Sequence, residues 1–341
     1  MTTGTRNGPR PMPSTPKNTL ATRRHPGALA IPAHLVDSAR SYAKASRAPR
    51  TLESYRRAWQ AFVAWCEVRG LASLPAAPEA VALYLTARAD AGRKPATLAL
   101  DLAAIGAAHK TAGCSSPASA ESVRQVLAGI RRTLGVAQRQ VAPLLPGDLR
   151  AVSAALPVGL LGVRDRALLL LGFAGAFRRS ELAQLEVRDL TFTEDGLEVV
   201  LRRSKTDQEG KGETKGIPHG SDPATCPVRS VKAWLEAAQL QDENAGPVFR
   251  EVTRHGRLGA VPLAGRSIAR IVKRNASAAG LDAARYSGHS LRAGLATAAA
   301  KAGKSTHAIM RQTGHKSADM VARYVRDASL FDDNAAAGIG L

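Results

Sequence analysis

The second half of the chain carries side chains whose types could together cleave a phosphodiester. Without a metal ion, that reaction needs a nucleophile, positive charge around the non-bridging oxygens and a proton donor for the leaving alkoxide. Short motifs supply each kind of group: Arg178 in GAFRRSEL, Lys205 in RRSKTD, His289 and Arg292 in GHSLRAG, His315 in TGHKS and Tyr324 in ARYVR. The combination predicts a phosphoryl-transfer site assembled from distant segments.

The charge of the chain indicates a polyanionic partner. The 341 residues include 48 Lys and Arg against 28 Asp and Glu, a formal net charge of +20. Residues 34–141 carry 15 basic and 7 acidic side chains, and residues 142–341 carry 28 and 21, so both halves are basic. Charge alone fits a ribosomal-type protein equally well. Together with the motifs, it predicts double-stranded DNA as the partner.

The motifs resemble, in order and spacing, the boxes of the tyrosine recombinases, the phage integrase family. The resemblance covers about residues 34–341. Its most specific part is GHSLR at 288–292, followed by Gly314-His315 before a helix and Tyr324 nine positions later. The length, the helical first half and the YSGHS context are particularly similar to the Cre-like branch. The resemblance implies a site-specific recombinase that cuts and rejoins DNA through Tyr324.

The same resemblance implies a role for each basic residue of the first box. Arg178 corresponds to the first arginine that grips the scissile phosphate, and a guanidinium suits this task because its fork matches two phosphate oxygens. Arg179 is the contiguous rival for that role and is otherwise a DNA contact. Glu181 would orient Arg178, although a surface ion pair at helical spacing is the alternative.

Three lysines lie close together where the lysine of the site is expected. Lys205 resembles the general acid that protonates the departing 5′ oxygen. It directly follows a predicted strand, where its position can be fixed. Lys211 and Lys215 lie in the glycine-rich stretch QEGKGETKG, which we expect to form the loop tip. Lys205 is therefore preferred, and the other two remain alternatives.

The remaining boxes imply a proton-transfer group and the nucleophile. His289 resembles the general base or proton-positioning group and Arg292 the second phosphate-gripping arginine; three positions apart, they can face one phosphate. His315 would hydrogen-bond a non-bridging oxygen. A phenol is largely protonated at neutral pH, so Tyr324 needs nearby cations and a proton acceptor. Its attack would leave a 3′-phosphotyrosyl bond and a free 5′-hydroxyl.

That reaction conserves bond energy, so the resemblance implies neither ATP nor any metal or other cofactor. The cysteines Cys66, Cys114 and Cys226 show no CxxC or Cys/His spacing, which argues against a zinc site. No apolar run is long enough to span a membrane. A soluble, cytoplasmic, nucleoid-associated enzyme is expected.

The positions of Pro and Gly and the apolar spacing divide the chain into three parts. Residues 1–33 are Pro-rich with five basic and no acidic side chains, and are expected to be disordered. Residues 34–141 show helical spacing throughout and predict a small all-helical DNA-binding domain, ending in a linker at 138–147. Its candidate phosphate contacts are Arg56, Arg57, Arg93, Lys94, Arg131 and Arg132.

Residues 142–341 form the predicted catalytic domain. Helices are expected at 148–156, 164–174, 228–239, 267–279, 290–301, 306–312 and 318–325. Between them, apolar alternation at 190–193 and 197–201 around the Glu-Asp-Gly turn predicts a hairpin, with Ile217 in a third strand. The fold class is therefore mainly α with a small antiparallel β-sheet, arranged as a two-domain DNA clamp.

The final residues after Tyr324 include Leu330, Phe331, Ile339 and Leu341. In similar recombinases a C-terminal helix docks on the neighbouring protomer, so the resemblance implies a homotetramer on two duplexes with inverted-repeat sites, a swapped tail and a Holliday intermediate. A helix packed on its own domain is the alternative for the tail. A type IB topoisomerase and a catalytically inactive DNA-binding protein are the competing functions.

Overall fold

The computed structural model describes residues 32–137, 140–202 and 212–328. The chain divides into two compact units between residues 138 and 139. Residues 1–31 of the predicted tail, the predicted general acid Lys205, its alternative Lys211 and the C-terminal segment 329–341 lie outside the described residues.

The described part of the first unit is helical, as the apolar spacing predicts. Its helices are α1 (Ala33–Ala45), α2 (Pro49–Glu67), α3 (Pro78–Asp90), α4 (Pro95–Thr111) and α5 (Glu121–Leu134). Three of them start on proline, which suits a first helical turn because its missing N–H would have no partner there. Trp59, Phe62, Tyr84 and Leu98 form the core between α2, α3 and α4.

The second unit builds its core around an apolar helix. The helices are α6 (Pro146–Ala154), α7 (Leu160–Ala174), α8 (Arg179–Gln184), α9 (Pro227–Ala237), α10 (Gly265–Ala278), α11 (Ser290–Lys301), α12 (Thr306–Thr313) and α13 (Ala318–Ala328). Leu168, Leu169, Leu170 and Leu171 of α7 are buried, and α7 packs against α9, whose Trp234 belongs to the same core. The predicted helices of this half are confirmed, with ends shifted by a few residues.

A three-stranded antiparallel sheet lies between α8 and α9. Strands β1 (Leu190–Phe192), β2 (Gly196–Leu201) and β3 (Glu213–Pro218) are joined in sequence order. Leu197 pairs with Ile217 and Val199 with Lys215, and all four side chains are buried. The predicted hairpin and third strand are confirmed, and so is the fold class of helices with a small antiparallel sheet.

A second hairpin was not predicted. It joins β4 (Arg250–Val252) to β5 (Leu258–Pro262). The short first strand and the mostly exposed second strand have no apolar alternation, which is the signal that identifies half-buried strands.

Helix α11 is held against the start of the second unit. Leu144 donates its N–H to the carbonyl of Ser290. A Cβ added to Gly294 would lie only 2.0 Å from the carbonyl oxygen of Leu144. Only glycine permits this approach, which fixes the helix that carries Arg292. Among the described residues, no helix is long and apolar enough to cross a bilayer.

Candidate active site

Arg178 lies in a tight turn between α7 and α8. Glu181, in the first turn of α8, accepts the backbone N–H of Arg178 at 2.8 Å and its guanidinium Nη1 at 2.6 Å. The second guanidinium nitrogen donates to the carbonyl of Gly314 at 3.3 Å. Glu181 is only 3% exposed, so this buried carboxylate holds Arg178 in a defined orientation.

Arg179, the rival for the same role, takes a different direction. It is exposed, and its aliphatic stem lies against Gly288, where a Cβ would be 2.2 Å from the Arg179 Cδ. The Arg179 side chain thus passes directly over Gly288, the first residue of the GHSLR motif, where a larger residue would collide with it. Of the two arginines, Arg178 is the one bonded to the segment that carries His315.

Arg292 is the most deeply placed cation of the site. It is 2% exposed and donates from Nη1 to the carbonyl of Ala176 at 2.9 Å. Burial, together with the positive charge of Arg178, lowers the pKa of Arg292 to about 10. The guanidinium therefore stays charged at neutral pH, near enough to Arg178 to feel its positive charge.

His289 and Tyr324 are brought together from residues 35 apart in sequence. The His289 Nε2 lies 3.2 Å from the Tyr324 hydroxyl oxygen, and in the tautomer with an unprotonated Nε2 the phenol donates. Desolvation, with the charges of Arg292, Arg323, Arg179 and Arg178, lowers the pKa of His289. A neutral imidazole at this distance can accept the phenol proton.

The Tyr324 ring is fixed by a small apolar cluster. It is 6% exposed and packs with Ala293, Ala296, Ile309 and Val321, which belong to α11, α12 and α13. This packing determines where the hydroxyl points. Tyr324 is thus both a packed helix residue and a hydrogen-bond partner of His289.

His315 follows the left-handed Gly314 that ends α12. Its Nδ1 lies 2.8 Å from the Thr313 hydroxyl, and its ring stacks on Tyr324 with centroids 6.1 Å apart. Burial and the neighbouring cations, Arg292 and Arg178 foremost, lower the pKa of His315 to about 4. The ring is therefore neutral at neutral pH and can donate or accept a hydrogen bond.

Lys215 is the lysine that the described residues place in the site. It was expected in the loop tip, and this is wrong: β3 begins at Glu213, and the two-residue repeat of a strand turns Lys215 inward together with Ile217. Its Nζ donates to the carbonyls of Gly175 at 3.1 Å and Gln312 at 2.5 Å. Burial lowers the pKa of Lys215 to about 8. Its spacing from Ile217 was the signal that could have identified it.

Gln312 is a second residue that sequence reasoning missed. Its side-chain amide donates to the carbonyls of Ala174 and Gly216, at 2.8 and 3.3 Å. A single glutamine outside any recognised motif carries no sequence signal for such a contact. Within the described ranges, no group of three metal-ligating side chains occurs.

The predicted DNA contacts other than Arg179 lie on the surface of the first unit. Arg56 and Arg57 on α2 both pair with Glu53, one helical turn earlier. The other candidates are exposed at the α3–α4 turn and at the end of α5, namely Arg93, Lys94, Arg131 and Arg132.

Comparison with known proteins identifies the family. The phage integrase family model matches residues 144–330. Over 294 residues the chain is 42% identical to an integrase/recombinase XerD homologue of Selenomonas ruminantium, with 85% of each chain covered. Over the same length it is 24% identical to the recombinase Cre of Escherichia phage P1, covering 82% of this chain and 83% of Cre. The expected likeness to Cre is confirmed, and the identity is higher with the XerD homologue.

Solved structures show the same fold. A lambda integrase dimer bound to a core site superposes with a TM-score of 0.56 at 18% identity, covering 86% of this chain and 94% of that one. The XerH recombinase in a post-cleavage complex with a palindromic substrate gives a TM-score of 0.56 at 17% identity, covering 82% and 76%. With the family match and the 42% relative, the chain belongs to the phage integrase family and is a tyrosine site-specific recombinase, an enzyme that breaks and rejoins DNA.

Proposed function

We propose that Tyr324 attacks the scissile phosphate, forming a 3′-phosphotyrosyl bond and releasing a 5′-hydroxyl. The observation that carries the proposal is the 3.2 Å separation between the Tyr324 hydroxyl and the His289 Nε2. His289 takes the phenol proton as the new P–O bond forms. Lys205 protonates the departing 5′ oxygen, and Lys215 is the alternative donor.

Arg178 and Arg292 stabilise the negative charge that develops on the non-bridging oxygens. Both are fixed before substrate arrives, Arg178 by Glu181 and Arg292 by the Ala176 carbonyl. Groups that need no reorganisation at the moment of reaction stabilise a transition state most effectively. His315, neutral beside them, donates a hydrogen bond to one of those oxygens.

The substrate under this proposal is double-stranded DNA with inverted-repeat sites, bound by both domains. The neighbours include a dimer bound to a core site and a recombinase bound to a palindromic substrate, which supports symmetric DNA. Four protomers exchange strands between two duplexes through a Holliday junction, each inserting its tail, residues 329–341, into a neighbour. The enzyme acts in the cytoplasm on nucleoid or phage DNA.

The decisive experiment replaces Tyr324 with Phe, which keeps the ring in its apolar cluster and removes the nucleophilic oxygen. Tyr324→Phe should bind target DNA normally and form no covalent protein–DNA adduct on a denaturing gel. The wild type should form the adduct in EDTA and without ATP. A wild-type amount of adduct from Tyr324→Phe would refute the proposal. Relaxation of supercoiled DNA that lacks the target site would instead indicate a topoisomerase.

A further inference from the structure

The ends of α7 and α12 meet inside the active site, and side chains from three elements cap them. Three successive carbonyls at the end of α7 each accept one side-chain donor. The Ala174 carbonyl accepts the Gln312 amide of α12, and the Gly175 carbonyl accepts Lys215 of β3. The Ala176 carbonyl accepts Arg292 of α11.

The end of α12 is capped by the same group of side chains. Lys215 donates to the Gln312 carbonyl at 2.5 Å, and Arg178 donates to the Gly314 carbonyl at 3.3 Å. The Gln312 amide also reaches the Gly216 carbonyl of β3. Lys215 therefore bridges both helix ends with one ammonium group, and the two arginines of the site attach to the same junction.

The physics of helix ends explains why a buried cation is stable here. The last carbonyls of a helix have no partner within the helix and carry the negative end of its dipole. Lys215, 3% exposed, lies at two such ends and over the Phe177 ring at 5.3 Å. The junction also contains Ala176 with φ +47°, a left-handed conformation that costs roughly 1–2 kcal/mol for a non-glycine residue. Such a turn persists only when its surroundings fix it.

We propose that Lys215, assisted by Gln312, is a positioning residue that joins the ends of α7 and α12 and thereby presets the phosphate-binding side chains beside them. The junction precedes Arg178 by two residues at one end and His315 by three at the other. The inference rests on the proposed roles of those residues. It gives Lys215 a function that differs from proton donation to the leaving group.

The charge of Lys215 is part of this function. Burial lowers its pKa to about 8, opposed by Glu213 and Glu181 and assisted by Arg292 and Arg178. Lys215 is therefore mostly charged at neutral pH and loses its proton as the pH rises beyond 8. Cleavage should decline across that range, and Lys215→Arg, which stays charged, should move the decline to higher pH.

The test compares Lys215→Met with Lys232→Met, a control that removes a charge from an exposed position on α9. Single-turnover cleavage of a suicide DNA substrate is measured with protein in excess. Lys215→Met should cleave on the order of 100-fold more slowly, the loss expected when catalytic groups are misplaced by about 1 Å. DNA affinity should match that of the control. Lys215→Arg and Gln312→Leu, which alter the junction differently, should reduce the cleavage rate less than Lys215→Met does.

A substrate with sulfur in place of the bridging 5′ oxygen separates positioning from proton donation. A thiolate leaves without protonation because thiols are far more acidic than alcohols. The sulfur substrate should rescue Lys205→Ala and leave Lys215→Met slow. Rescue of Lys215→Met would make it the general acid and overturn the inference.

Two further results would also overturn it. One is cleavage by Lys215→Met at the rate of the control. The other is a loss of melting temperature that accounts for the lost activity, with full cleavage restored at low temperature. The Tyr324→Phe adduct assay decides the proposed function separately, since it does not depend on Lys215.

Discussion

The candidate site of the second unit and the surface of α2 in the first unit hold their arginines in opposite ways. In the second unit, Arg292 is 2% exposed and bonds a backbone carbonyl, and Arg178 is clamped by the buried Glu181. In the first unit, the side chains of Arg56 and Arg57 are 56% and 76% exposed and share Glu53 on their own helix. The same side-chain type is fixed at the site in the second unit and left free to rearrange on the surface of α2 in the first.

This difference separates arginines suited to catalysis from arginines suited to DNA binding. Surface ion pairs contribute little and exchange readily for phosphate contacts, so exposed arginines suit salt-dependent DNA binding. A buried cation is costly unless its hydrogen bonds are satisfied, and removing one partner leaves the other uncompensated. Substitutions of the buried charged groups at the site should therefore change rates, and those of exposed arginines in the first unit should change affinity.

The largest effect is expected for Arg292→Lys. Lysine keeps the charge but loses the planar fork that bonds the Ala176 carbonyl and, in the proposed mechanism, also a phosphate. Single-turnover cleavage should fall by about 10²–10³-fold, the loss found when one transition-state donor is removed. Arg57→Lys is the matched control, and its cleavage at saturating DNA should be unchanged. Equal losses in the two variants would remove the distinction between the units.

A smaller loss is expected for Glu181→Gln. The amide oxygen can still accept the Arg178 N–H that starts α8, but the guanidinium loses its charged partner. Cleavage should fall roughly 10-fold, which corresponds to about 1.5 kcal/mol, the lower end of the range for a hydrogen bond to a charged group. Glu186→Gln, which removes a carboxylate paired with the exposed Arg188 and Arg202, serves as control. A larger loss of cleavage in Glu186→Gln would show that burial does not determine how much each carboxylate contributes to the rate.

How far the site was predictable follows from which contacts are local. Arg178 and Glu181 lie three residues apart, so their contact was readable from helical spacing. Lys215 meets Gln312 only because β3 and α12 pack together, and no spacing rule encodes such a distant pair. For the fold, apolar periodicity was sufficient for the first sheet and for the helices of the second unit other than the short α8, as well as for the helical first unit. It failed at β4 and β5, where burial is too slight to impose a pattern.

The pH dependence of stability should reveal how strongly the site disfavours an added proton. The pKa of His315 is lowered to about 4 in the folded protein, so the unfolded chain takes up a proton first. The contribution of His315 to the free energy of unfolding is therefore fully present above pH 6.5 and is lost as the pH falls towards 4. His315→Gln should flatten the curve in that window, by on the order of 1–2 kcal/mol. Urea unfolding at several pH values measures it, with the exposed His255→Gln as control; identical curves for the two variants would contradict the expectation.

The smallest effect per residue is expected on α5, from Arg131→Gln combined with Arg132→Gln. Both side chains are exposed, and each phosphate neutralised contributes about 0.9 to the slope of log K against log[salt]. The double variant should therefore lose about 1.8 from that slope, with affinity reduced most at low salt. Cleavage at saturating DNA should equal that of the wild type, because nothing at the second unit's helix junction has changed. An unchanged slope would mean that these arginines face solvent in the complex. A slower cleavage step at saturation would show that the first unit also helps to set the active site.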